Sequence, residues 1–261
     1  MLIERGGRKT QVMTLLSRLS ALAFILAIPV FLVTSNVRFF ASETRFYERG
    51  FREYNAAGVT GVSLPELDRA AAELASYFEN DAPLLSTTVQ LDGAEAPLYN
   101  EREISHMKDV KTLMRFVYRL QEFSLAVVIT YIASVFLWAR EKSLRTLAVQ
   151  ALAGVGVGFA ALGFVGVFAI TGFDAAWTRF HKIVFNNDLW ILDPSRDRLI
   201  QMFPEPFWQE ATYIIGVLTL VEVALIVGVA LSYLAATRHA RPSSSHGTPR
   251  MQTIGDESAA G

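Results

Sequence analysis

The chain's 261 residues include four histidines and no cysteine, so imidazole is the only side chain here whose ordinary pKa lies near neutrality. His106 is flanked by Glu103 and Asp109, three residues to either side. On a helix both acids neighbour the ring. Such a carboxylate can fix the imidazole tautomer and raise its basicity, an arrangement suited to taking and returning a proton. His181 lies in a separate segment among Trp177, Phe180, Val184 and Phe185. Two imidazoles brought to one place would serve acid–base chemistry; two surface histidines beside ordinary ion pairs remain the alternative. Two histidines with one or two carboxylates also resemble a hydrolytic zinc set, but no HExxH ligand pair occurs, and neither a metal nor a cofactor is expected. The absence of cysteine excludes thiolate nucleophiles, disulfides, iron–sulfur clusters and thioester intermediates. His239 and His246 fall in a basic flank and tail that read as solvated.

The elements that must position His106 and His181 are membrane helices. Hydrophobic residues make up 52% of the chain and charged ones 19%, below the ~25% of soluble domains. Mean hydropathy is +0.31. A net charge of −1 removes the electrostatic case for nucleic-acid binding. Long intervals between ionisable residues, from Arg18 to Arg38, Glu122 to Arg140, Arg145 to Asp174, and Ala211 to Thr237 broken only by Glu222, locate four spans at 13–35, 122–139, 146–172 and 211–237, each long enough to cross ~30 Å of hydrocarbon. Arg5, Arg8 and Lys9 precede the first and Arg18 lies near its start, Arg140, Lys142 and Arg145 fall in the link at 140–145, and Arg238 and Arg241 follow the fourth. The loops at 36–121 and 173–210 are net acidic. Positively charged flanks stay inside, so both termini (1–12 and a disordered 238–261 tail) are expected in the cytoplasm and both large loops outside. The first span is expected to be an uncleaved anchor rather than a signal peptide cut near Ala41.

Both outer loops carry helix signals. Ser63-Leu64-Pro65-Glu66 predicts a capping box and a helix over 64–79. Asp92-Gly93 between Thr87–Leu91 and Pro97–Tyr99 is a weak hairpin signal. Asn100, with Glu103 three residues on, opens a helix free of Gly and Pro from Glu101 to Ala139. Its apolar stripe of Ile104, Met107, Val110, Met114 and Val117 opposes Lys108, Lys111, Arg115 and Arg119, which predicts a bend near 120 and a helix resting in the headgroup layer. A second amphipathic helix follows Asp174. Asp193-Pro194 reads as a helix start. The fold expected is an all-α integral membrane protein of four spans with an extracytoplasmic helical cap. Within the spans, Gly154 and Gly158 have the spacing of close helix packing rather than of a phosphate loop. Glu222, near mid-membrane, needs a partner or a proton.

Several segments together carry a resemblance: Asn36-Val37-Arg38, Thr60-Gly61-Val62-Ser63, Arg102-Glu103-Ile104 through His106-Met107 to Asp109-Val110, and Phe180-His181 through Phe185-Asn186-Asn187-Asp188 and Trp190 to Asp193-Pro194. They are similar to the bacterial four-span membrane protein family that includes the lipoprotein intramolecular transacylase, over about residues 12–236. The resemblance implies a plasma-membrane acyltransferase acting on a diacylated bacterial lipoprotein among membrane lipids. It would move the sn-2 acyl chain of diacylglyceryl-cysteine to the same cysteine's α-amino group, with His106 and His181 essential. Ester aminolysis needs a deprotonated amine, a stabilised oxyanion and a protonated leaving oxygen. Glu103 or Asp109 would orient His106, and Asn187 is a candidate oxyanion donor. A non-catalytic membrane partner or chaperone, and a lipid or peptide hydrolase using the same histidines, are the other readings of these residues.

Overall fold

A computed structural model describes residues 2–138 and 142–239. In chain order its elements are α1 (Leu2–Ser42), α2 (Thr44–Glu53), α3 (Ala56–Thr60), α4 (Leu64–Glu79), β1 (Thr88–Leu91), β2 (Ala94–Pro97), α5 (Glu101–Trp138), α6 (Lys142–Thr171), α7 (Phe173–Val184), α8 (Arg198–Met202) and α9 (Glu205–His239). Residue 139 of the expected second span, 140–141 of the expected link and 240–261 of the expected tail lie outside the described residues.

Four helices are long and apolar enough to cross a membrane, with mean hydropathy between 1.7 and 2.7 in α1, α5, α6 and α9. Only a structure that satisfies its own backbone can do so, which these helices achieve internally. Leu22, Leu26, Ile129, Phe136, Val217 and Leu225 project outward and exposed, as suits hydrocarbon. Inward, Phe24, Ile28 and Leu32 of α1 meet Val155 of α6 and Val223 of α9, with Val128, Tyr131 and Ile132 of α5 against them. Phe24 stacks on Tyr131 at 4.6 Å, and Tyr131 donates to Gln150 Oε1 at 2.9 Å.

Two polar features lie inside this bundle. Pro29 within α1 has no N–H to return to the carbonyl four residues earlier, that of Ile25. Gly154 of α6 approaches that freed carbonyl so closely that a Cβ there would lie 2.8 Å from it. Glu222 is paired: Asn36 Nδ2 of α1 donates to its Oε2 at 2.9 Å and lies 3.0 Å from Thr219 Oγ1.

The cap sits where α1 ends and α5 and α9 begin. Phe51, Ala56, Leu67, Ala70, Ala71, Leu98 and Met202 are fully enclosed there, packed with Phe40, Met107, Met114, Phe203 and Phe207. The helix over 64–79 forms, but Ser63 makes no side-chain cap bond; Glu66 is turned instead to Arg69 and to the amide of Gln90. The reciprocal box forms one helix later, where Asn100 and Glu103 each accept the other's backbone N–H at 3.1 and 2.7 Å. The hairpin is antiparallel in the register Leu91 to Ala94 and Thr88 to Pro97. Its turn residues Asp92 and Gly93 have φ of 52° and 83°, the left-handed pair that a two-residue turn requires.

Two expectations are corrected. Helix α5 is uninterrupted from Glu101 to Trp138, and the stripe expected to rest in the headgroup layer meets protein instead. Its apolar stripe is buried by protein, since Met107 and Met114 pack in the cap core with Ile104, Val110 and Val117 against it. Lys111 is tied down too, donating to Ala82 O at 2.6 Å and Asn80 Oδ1 at 3.2 Å over the Tyr77 ring. Asp193-Pro194 starts a turn, not a helix. Asp193 accepts from Ser195, and helix begins at Arg198.

Candidate active site

The first three turns of α5 organise the site. Residues 101–122 carry nine charged side chains and belong to the cap, leaving the apolar remainder of α5 to span. Glu103 is 1% exposed, and its oxygens accept from the amides of Asn100 and Leu199 at 2.7 and 2.6 Å. It therefore staples the 193–199 segment to the start of α5 and does not orient His106. Asp197, equally buried, completes the staple: it accepts from Asn100 Nδ2 at 2.9 Å and from the amide of Asp193 at 2.7 Å. Sequence reading missed this carboxylate because its partner, Asn100 at the head of α5, lies 97 residues away.

One turn further along α5, His106 comes to within 6.2 Å of His181, ring centroid to ring centroid. Each is 7% exposed. His181 sits in the last turn of α7, with Trp177 at 4.6 Å, Trp190 at 5.0 Å, Phe180 at 5.3 Å and Phe185 at 5.6 Å. Phe185 also stands edge-on to His106 at 5.2 Å. Trp177 stacks on Trp208 of α9 at 5.1 Å, so the aromatic face expected on α7 anchors it to the bundle.

The imidazoles differ in their partners. His181 Nδ1 lies 2.8 Å from the carbonyl oxygen of Trp177. His106 Nδ1 is buried with no hydrogen-bond partner among the described residues. Burial pushes His106 down to about 4, aided by the neighbouring His181 and opposed by Asp109. Burial also lowers His181, against the contrary pull of its bond to Trp177. Both rings are thus held neutral at physiological pH, free to accept or donate a proton.

Asp109 accepts from Asn187 Nδ2 at 2.9 Å, and Asn187 Oδ1 accepts from the amide of Leu189 at 3.0 Å. Asn187 thus spends a donor hydrogen on Asp109 and holds its own loop in shape. Arg102 donates to the carbonyl of Asp188; its place four residues before His106 is the signal that marks it. Beside the pair, residues 185–188 with Lys182, Trp190 and Ile191 line a cavity of about 370 Å³. Among the described residues no three His, Asp or Glu side chains converge to hold a metal ion.

A four-span bundle of apolar helices whose helical cap encloses two closely placed imidazoles is the architecture of an integral membrane protein. Residues 22–208 match the family described as lipoprotein intramolecular transacylase Lit, and this chain belongs to that family. The fold is that of the membrane-integral lipoprotein intramolecular transacylase Lit from Bacillus cereus: TM-score 0.68 at 18% identity, over 86% of this chain and 99% of that one. A variant of the same protein with one histidine changed to alanine matches at TM-score 0.68 and 18% identity, over 89% of this chain and all of the other. An uncharacterised protein of Aquifex aeolicus is 31% identical over 121 residues, 46% of this chain. The match spans about half of that relative's length.

Proposed function

We propose that this chain moves the sn-2 acyl chain of a lipoprotein's diacylglyceryl-cysteine onto the α-amino group of the same cysteine. The observation that carries the reading is the pair of neutral imidazoles, 6.2 Å apart and nearly excluded from solvent, in a member of a family named for this transfer. As the amine nitrogen bonds to the ester carbonyl, one imidazole takes its proton. The tetrahedral oxyanion then collapses, the bond to the sn-2 oxygen breaks, and a proton is returned to that oxygen. His181 is the better base of the two. The Trp177 carbonyl, by accepting from Nδ1, lowers the cost of an imidazolium there. His106, more strongly disfavoured as a cation, serves as a neutral donor to the oxyanion.

Donor and acceptor belong to one molecule, so positioning supplies much of the acceleration. In this reading the cap faces outward from the cell, both termini are cytoplasmic, and the substrate's acyl chains stay in the bilayer beneath the site. The test is mass spectrometry of the N-terminal peptide of a diacylated reporter lipoprotein, co-expressed in a host lacking other N-acylating enzymes. Fragmentation separates N-acyl monoacylglyceryl-cysteine from the diacylglyceryl isomer of equal mass. The N-acyl form should appear with this protein and not with His181→Ala; persistence of the diacyl form with the unaltered protein overturns the assignment.

A further inference from the structure

Helix α5 holds the 185–191 loop at two points, and His106 lies between them. Arg102, four residues before His106, donates to the Asp188 carbonyl. Asp109, three residues after it, accepts from Asn187 Nδ2 at 2.9 Å. Residues 102, 106 and 109 share one side of the helix by their spacing. The loop so strapped carries Phe185, 5.2 Å from the His106 ring, and Trp190, 5.0 Å from His181. With Trp177 and Phe180 of α7 it forms part of the aromatic wall around the two imidazoles, each 7% exposed.

We infer that Arg102 and Asp109 are positioning residues that strap this loop over the histidine pair, keeping water from the ester and so deciding whether the acyl chain passes to the amine or to water. The inference rests on the transfer reading above. Both outcomes begin with attack on the sn-2 carbonyl. When the amine attacks, a carbon–nitrogen bond forms, the bond to the glyceryl oxygen breaks, and the proton leaving nitrogen ends on that oxygen; mass is unchanged. When water attacks, a carbon–oxygen bond forms, the same ester bond breaks, a fatty acid departs and the product is lighter by one acyl chain. A tethered amine can outcompete bulk water, provided the closed site excludes it. Loosening the loop removes neither imidazole, so the ester would still react, with the wrong nucleophile.

The test reads the ratio of hydrolysed to transferred reporter peptide, normalised to protein in the membrane. Asn187→Asp sets two carboxylates against each other; adding Asp109→Asn restores a donor and an acceptor in reverse order. The single change should raise the ratio on the order of tenfold, the effect of losing one hydrogen bond to a charged group, and the double change should bring it back toward the unaltered value. Arg102→Met, acting at the other strap, should raise the same ratio and Arg102→Lys should raise it less, which keeps the test decisive if Asn187→Asp folds poorly. Total product falling at a constant ratio in both Asn187→Asp and Arg102→Met, or a ratio that the double change does not restore, overturns the inference. If the unaltered protein yields no N-acylated cysteine, the transfer reading fails and this inference with it; transfer by the unaltered protein with an unmoved ratio in the variants overturns the strap alone.

Discussion

His181 Nδ1 lies 2.8 Å from the carbonyl oxygen of Trp177, one turn earlier in α7. A carbonyl only accepts, so Nδ1 carries the hydrogen and Nε2 keeps its lone pair. The helix that carries the imidazole thereby selects the tautomer, a task often left to a carboxylate. Neither acid near His106 is needed for this, and Glu103 is committed to backbone amides.

The first prediction follows from that contact. His181→Ala should lower transfer by ~10²–10⁴, the usual worth of a general acid–base group, while the protein accumulates in the membrane. Among the described residues its ring hydrogen-bonds only within its own helix, and α7 remains anchored through the Trp177–Trp208 stack. Comparing product per unit of membrane protein checks this; a fall in abundance matching the fall in product would make His181 a structural residue.

The pH dependence has a definite sign. Both histidines are held below their ordinary value, His106 at about 4, so both are neutral at physiological pH. The substrate's α-amino group, ordinarily near 7.7–8.0, then sets the acid limb. Turnover should rise about tenfold per unit between pH 6 and 7.5 and level off above 8 without an inflection near 6.5. Stability follows the same groups: below about 6.5 the unfolded chain takes up protons that the folded site refuses until about 4 for His106. The folded protein should therefore lose stability as pH falls through that window. A rate profile with an inflection at 6.5 would show that the rings are not buried as described.

Glu103→Ala should act on folding rather than chemistry. It strips the acceptor from the buried amide of Leu199 and from the partly buried amide of Asn100, a loss of about 1–3 kcal/mol for a buried group left unsatisfied. A lower thermal midpoint, with activity per folded molecule changed less than about tenfold, is expected. Glu103→Gln keeps an acceptor for one amide and should fall between the two.

The spans were legible because an apolar interval has few uses other than crossing a bilayer. The Asn100 and Glu103 box was legible because its partners are three residues apart. The course of α5 was not: the stripe of Ile104, Met107, Val110, Met114 and Val117 suits a lipid surface as well as a protein one, and only the tertiary partner decides between them. That partner, the apolar side of α4 with Leu67, Ala71, Leu74 and Phe78, was itself visible as a helix. Asp197 acts on a group 97 residues away, a separation for which local spacing has no signal; Arg102 is marked by its place four residues before His106, but its partner, 86 residues away, is not. The placement of His181 beside His106 is of the same kind, since it depends on how α7 packs against α9 through tryptophans.

The last prediction concerns the bundle that holds the cap in place. Pro29 leaves the Ile25 carbonyl without its helical N–H, and Gly154 brings the α6 backbone against it. A methyl group at Gly154 would lie 2.8 Å from that oxygen and 3.0 Å from Ile28 Cδ1; one at Gly158 would lie 2.8 Å from Pro29 Cβ. Backbone atoms cannot swing aside as a long side chain does, so Gly154→Ala must push α6 off α1. Overpacking of this kind costs typically 1–3 kcal/mol, and the displaced α6 leads directly into α7 and His181. Gly156, where a Cβ meets nothing within 4 Å, is the internal control: Gly156→Ala should be neutral or slightly stabilising, since Ala is the better helix former. Thermal unfolding of the two variants in the same lipid should separate them, with Gly154→Ala melting lower. Equal midpoints would mean that α1 and α6 do not pack backbone to backbone at Pro29.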